Sequence, residues 1–304
     1  IDFSVLEESL ALRFQRQGQE MVDQNTTVAR AGFDYTQEHY RPFDQSPPVG
    51  EKPLAFWSGN DALAMGGAAA GVKFYAAYPM SPASGVLHWM ANNARNLGIM
   101  VRQVEDEIAV ANMVVGAAHA GTRSLCATSG GGFALMTEAV GAAAMMEIPA
   151  VFINVQRAGP STGVPTKTEQ GDLWQVLGAS QGDFERVVLA PISMGDCFVT
   201  PSVAFDVADK YQLPVLILGD LLLCEGSETV ATEILDVEFP IDRGELITTA
   251  DGSVQEPYLR YKDTPSGISP RAIPGLPGHL YVSGTDEHDE DGGLLSDVFT
   301  DPIR

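Results

Sequence analysis

The run Val104-Glu-Asp-Glu-Ile-Ala-Val110 sets three acids where an apolar stretch gives way to an Ala-rich, helix-like one. Successive helical residues point about 100° apart, so Glu105, Asp106 and Glu107 cannot all face one ligand. Glu107 shares its face with Val110, Ala111 and Val114, which makes it the inward acid of the three. The faces below Glu105 and Asp106 are also mostly apolar. The pattern therefore leaves a plainer reading open, in which first-turn acids serve the helix dipole and its free amides.

Two polar loops flank this run. Upstream lies Tyr78-Pro79-Met80-Ser81-Pro82, and downstream lies Gln156–Asp172. In the second loop Arg157 offers a planar fork suited to a carboxylate or phosphate. Ser161, Thr162, Thr166 and Thr168 add hydroxyls, and Gly159 and Gly163 permit close backbone approach. The loop follows an apolar strand at its C-terminal end, where open α/β sheets bind ligands. Structureless connections longer than about 12–15 residues are uncommon, which favours function over a surface loop that merely caps the next helix through Asp172. A third strand-to-helix turn, Thr128-Ser-Gly-Gly-Gly-Phe133, has amides that could hold an anion. It lacks GK[ST], and no GxGxxG opens the first βα unit.

Other chemistries find little support. Cys126, Cys197 and Cys224 are far apart, without the spacing of a zinc site or an iron–sulfur cluster. His39, His88, His119, His279 and His288 show no metal spacing, and no GxSxG is present. With 40 acids against 18 bases the net charge is −22, which argues against a nucleic-acid partner. This acidity suits ordinary solubility or adaptation to high salt. No apolar run reaches the roughly 18–20 residues of a membrane span, and no signal-peptide pattern follows Ile1, so a cytoplasmic protein is expected.

These loops must be held by a scaffold. Strand-like stretches at 54–58, 72–78, 99–103, 124–128, 150–155 and 214–220 alternate with helical ones at 60–71, 83–97, 105–120, 133–147 and 193–211. Apolar strands separated by helices predict an α/β domain with a doubly wound, mostly parallel sheet. Its expected span is 53–232. Residues 1–52 form a helical segment followed by a linker from Gly32 to Pro53, and 233–304 form an irregular arm rich in Pro, Gly and acids.

The order of YPMSPAS, QVEDEIA, ATSGGGFALMTEAVG, NVQRAGPSTGVPTKTEQGDL and SPRAIPG resembles the alpha subunit of 2-oxoacid:ferredoxin oxidoreductases, most closely the 2-oxoglutarate branch. The resemblance covers essentially the whole chain. Three positions depart from the usual motifs: Ser81 stands for Thr, Gly131 for Pro and Ala158 for Gly. The resemblance implies a transketolase-like domain that binds the pyrimidine half of thiamine diphosphate. Residues 1–52 would end a gamma-type region, and a further C-terminal domain would follow about residue 300. It implies that Glu107 bonds the aminopyrimidine ring and that Ser81 lies near the reacting carbons, with Tyr78 and Pro79 against the cofactor. Arg157, Ser161, Thr162 and Thr166 would bind the 2-oxoacid carboxylate or coenzyme A. No GDG…N sequence for diphosphate and magnesium occurs here. The resemblance assigns that half, Mg2+ and a [4Fe-4S] cluster to a beta subunit, with ferredoxin as electron acceptor. Pyruvate or a branched-chain 2-oxoacid is the alternative substrate, and a non-catalytic scaffold the alternative of another class.

Overall fold

The structure, a computed structural model, describes residues 2–42, 50, 52, 54–248 and 258–295. It divides into two compact units, Ile1–Lys52 and Pro53–Arg304. In the first unit, α1 (Phe3–Phe14) and α2 (Gln19–His39) pack through an edge-on Phe3–Phe33 contact, with the Arg30 guanidinium 3.4 Å over the Phe3 ring. Here α2 runs to His39, well past Gly32, where a linker was expected. Local bonds carry it: Thr36 Oγ1 donates to the Gly32 carbonyl, and His39 stacks on Tyr35 one turn back. The expected linker core, 43–49, lies outside the described residues.

In the second unit the elements are β1 (Leu54–Ser58), α3 (Gly59–Ala69), β2 (Phe74–Ala77), α4 (Ser84–Leu97), β3 (Met100–Gln103), α5 (Glu107–His119), β4 (Ser124–Thr128) and α6 (Gly130–Met145). There follow β5 (Val151–Gln156), α7 (Leu173–Leu177), β6 (Val187–Leu189), α8 (Met194–Tyr211), β7 (Val215–Asp220), α9 (Leu221–Glu225) and β8 (Ser227–Ala231). Six strands form one parallel sheet in the order β3-β2-β4-β5-β7-β6. Residues from α3, α4 and α8 build the core on one face, and α5 and α6 build it on the other. The sheet is thus doubly wound. Val151, Phe152 and Ile153 of β5 are wholly buried, as a strand covered on both faces requires. Each such side chain contributes about 1.5–3 kcal/mol of burial.

The stretch 54–58 corrects the expectation. It does not enter the parallel sheet but pairs antiparallel with β8 in a two-stranded ribbon. Its burial explains this: Phe56 is 72% exposed while Trp57 is 7% exposed, so the apolar run is a one-sided edge ribbon. The sixth strand of the sheet is instead the three-residue β6, too short to stand out in the sequence.

The arm after β8 has little regular structure beyond the parallel pair β9 (Leu246–Ile247) and β10 (Arg271–Ala272). It nonetheless belongs to the second unit. The arm's Arg243 and Arg271 pair with buried Asp209 of α8, which also takes Arg123 from just before β4. Arg260 of the arm pairs with Glu147 and donates to its carbonyl. Pro- and Gly-rich chain is therefore anchored by guanidinium groups rather than by periodicity. Among the described residues no helix is long and apolar enough to cross a membrane.

Candidate active site

The chain order places β3 on the far side of β2 from β4, so the direction of winding reverses between β2 and β4. At such a point the loops leaving neighbouring strands part and open a crevice. Here those loops are 78–83 after β2 and the Thr128–Gly130 turn after β4, and α5 starts beside them. A cavity of about 480 Å³ opens there, lined by Met80, Glu107, Gly130, Gly131, Arg157, Ser161, Thr162 and Asp172 among others.

The two readings of the acidic run divide between adjacent residues. Asp106 is the N-cap of α5, its carboxylate accepting from the Ile108 and Ala109 amides at 3.0 and 3.3 Å. Glu105 is exposed. Glu107 turns inward at 4% exposure, on the same face as wholly buried Val110, Ala111 and Val114. The hydrogen bonds among the described residues include none to its carboxylate. A buried carboxylate is costly to leave without a partner.

Gly132 makes room for it. A Cβ there would lie 2.2 Å from Thr128 Oγ1 and 2.7 Å from Glu107 Oε1, so a side chain at this position would displace the acid. Ser129, at the N-cap of α6, makes no cap bond, and its buried hydroxyl has no partner.

Arg157 projects from the end of β5 and donates to two carbonyls, Ser81 O at 2.6 Å and Thr162 O at 2.8 Å. It thereby ties the 78–82 loop to the 157–167 loop while still lining the cavity. Five N–H donors leave it capacity for a ligand oxygen. The second loop is tightly folded: the Ala158 amide donates to Lys167 O, and Val164 donates to Ala158 O. Gly163 closes that turn with φ +61°, and a Cβ there would strike the Ala158 carbonyl.

Most of the residues singled out from sequence converge here, though unequally. Glu107, Arg157, Ser161 and Thr162 line the cavity. Ser81 and Pro79 are exposed in the adjoining loop, and Tyr78 packs half-buried against the α5–α6 core. Thr166 is exposed on the loop, outside the lining residues.

The cavity also contains Asp172, which the sequence reading named only as a possible cap of the next helix. Asp172 occupies the N-cap position of α7 but makes no cap bond. Its carboxylate accepts instead from Asn154 Nδ2 at 3.1 Å, and its amide donates to Gln156 Oε1 at 2.9 Å. Burial pushes the Asp172 carboxyl up from its ordinary pKa, Asn154 and Arg157 act against this, and Glu169 adds to it. The sequence does carry a signal: Asn154 and Gln156 are amides at the C-terminal end of an otherwise apolar strand, and both are at least 96% buried.

Comparison with known proteins follows the same lines. Residues 65–294 match the family model described as pyruvate flavodoxin/ferredoxin oxidoreductase, thiamine diphosphate-binding. The 2-oxoacid:ferredoxin oxidoreductase 1 subunit alpha of Sulfurisphaera tokodaii is 36% identical over 288 residues, covering 90% of this chain and 44% of that protein. The 2-oxoglutarate oxidoreductase subunit KorA of Mycobacterium tuberculosis is 37% identical over 268 residues, covering 85% of this chain and 40% of its own length. A 2-oxoglutarate:ferredoxin oxidoreductase from Magnetococcus marinus, solved with 2-oxoglutarate, coenzyme A and succinyl-CoA bound, superposes with a TM-score of 0.81 at 36% identity. That match covers 97% of this chain and 51% of the other. The chain spans about half the length of the relatives it matches. It belongs to the pyruvate flavodoxin/ferredoxin oxidoreductase family, built on that family's thiamine diphosphate-binding α/β domain.

Proposed function

We propose that this chain is the pyrimidine-binding portion of the alpha subunit of a 2-oxoacid:ferredoxin oxidoreductase, with 2-oxoglutarate as substrate. The reaction converts 2-oxoglutarate, coenzyme A and oxidised ferredoxin to succinyl-CoA, carbon dioxide and reduced ferredoxin. The observation that carries this reading is buried Glu107, which lines a cavity at the reversal of the sheet and takes no hydrogen bond at its carboxylate from the described residues. The substrate assignment draws on relatives named for 2-oxoglutarate and on the Magnetococcus structure.

The residues present fit the aminopyrimidine half of thiamine diphosphate. A buried acid with an unused carboxylate suits a ring nitrogen that shares a proton, and Gly132 keeps the space beside it open. When bound, thiamine diphosphate supplies an electron sink for decarboxylation of a 2-oxoacid. Glu107 holds the proton at the ring nitrogen. Ser81 offers a hydroxyl beside the reacting carbons, in the loop that also carries Tyr78 and Pro79. Arg157, with Ser161 and Thr162, orients the 2-oxoacid carboxylate, and Thr166 beyond the rim contacts coenzyme A. The chain has no GDG…N sequence. As the family resemblance implies, the diphosphate, Mg2+ and the [4Fe-4S] cluster belong to a beta subunit, through which ferredoxin is reduced.

Calorimetry of thiamine diphosphate and Mg2+ tests this, with the full alpha subunit alone and then with its beta partner. Binding only in the assembly, lost on Glu107→Gln, is expected. Tight binding to alpha alone overturns the split site. Turnover faster on pyruvate than on 2-oxoglutarate overturns the substrate assignment.

A further inference from the structure

Two glycines of the Thr128–Phe133 turn each lie against a carboxyl. Gly132 abuts Glu107, and Gly130 abuts Asp172, whose Oδ2 would be 2.4 Å from a Cβ at position 130. The start of α6 is thus bracketed by two acids that line one cavity. Asp172 stands at the N-cap position of α7 but its side chain does not cap the helix. The residue is instead held from behind. Asn154 fixes its carboxylate, Gln156 fixes its amide, and Gln156 is itself tied to the Gly219 carbonyl. Asn154 Oδ1 is buried and unpartnered. An amide with a free oxygen beside a carboxyl can turn and accept from its protonated form, so Asn154 can serve Asp172 in either state.

We infer that Asp172 is a second functional carboxyl of the cavity, which accepts a hydrogen bond from an N–H or O–H group of the bound substrate or cofactor. This rests on the split-site reading given above. As carboxylate Asp172 accepts; once protonated it loses that capacity on one oxygen. Arg157 and Glu169 on its own loop and Glu107 across the cavity are the charged groups around it, while β5 and α6 present only amides and a hydroxyl. Because burial raises the pKa, the loss of function comes on the acid side, at a pH above that of an ordinary aspartate.

The test uses the full alpha–beta assembly, with steady-state kinetics on 2-oxoglutarate across pH and calorimetry of thiamine diphosphate. Asp172→Asn should lower kcat/KM at least about tenfold and remove or displace the acidic limb of the pH profile, as expected of a group that must be ionised. Asp172→Glu should recover part of the activity, and Asn154→Ala should shift the same limb. An Asp172→Asn assembly with wild-type kcat/KM and pH profile overturns the inference and leaves Asp172 a loop anchor. A wild-type assembly that binds no thiamine diphosphate and is indifferent to Glu107→Gln overturns the split site and this inference together.

Discussion

The two edges of the parallel sheet treat their buried carboxylates in opposite ways. Around Asp209, near the N-terminal edge, charge is matched by charge. Arg123 and Arg243 each reach its Oδ2 at 2.8 Å and Arg271 reaches its Oδ1 at 3.4 Å, while Arg123 also takes Asp206 and the Ala70 carbonyl. At the C-terminal edge Glu107 is 4% exposed and its carboxylate pairs with no cation among the described residues, beside the unpartnered Ser129 hydroxyl and Asn154 Oδ1. Buried carboxylates are ordinarily paired, so an unpaired one marks a place shaped for something other than stability. Polarity fastens the arm at one edge and lines a cavity at the other.

That contrast can be broken from either side. Glu107→Gln keeps the shape of the site, so the largest effect is on turnover. We expect a loss of 10²–10⁴-fold, about the range of general acid–base contributions, with little change in Tm; an activity within threefold of wild type contradicts the assignment of Glu107. Asp209→Ala should do the reverse. Removing it leaves buried Arg271 without its carboxylate and takes one of two from Arg123, at a cost of about 3–5 kcal/mol. For a unit of this size that is roughly 10 °C in Tm, read by calorimetry on the assembled protein, with kcat per folded molecule retained.

Two milder changes sharpen the comparison. Gly132→Ala pushes a methyl against Thr128 and Glu107, for about 1–3 kcal/mol of overpacking. Since the strain falls on the acid itself, thiamine diphosphate affinity should drop with it, by about tenfold on calorimetry. Thr166→Ala, on an exposed part of the loop, should raise KM for coenzyme A by only a few-fold and leave that for the 2-oxoacid unchanged. An equal rise in both would move Thr166 into the carboxylate pocket.

Much of this architecture was readable in advance, for a physical reason. Strands buried on both faces must be apolar throughout, so β4, β5 and β7 stand out as continuous runs, close to their observed bounds. Misreadings came where that rule does not apply. The stretch 54–58 is apolar yet half-exposed, and β6 is too short to carry a pattern. At the site, Glu107 was favoured over its neighbours only narrowly, because three consecutive acids above apolar faces look alike. The helix start separates them: once Asp106 takes the cap, the phase of α5 turns Glu107 inward.

The chain alone determined the class of fold, the loops that carry polar residues, the missing diphosphate motif and the family motifs, since each is a matter of residue type and spacing. Tertiary structure decided which acids share a cavity. It brought Asp172 beside the start of α6, set Arg157 across two loops and gathered three arginines on Asp209 from positions far apart in sequence. Such convergence depends on where strands end and how the sheet winds, and no local pattern of residues encodes it.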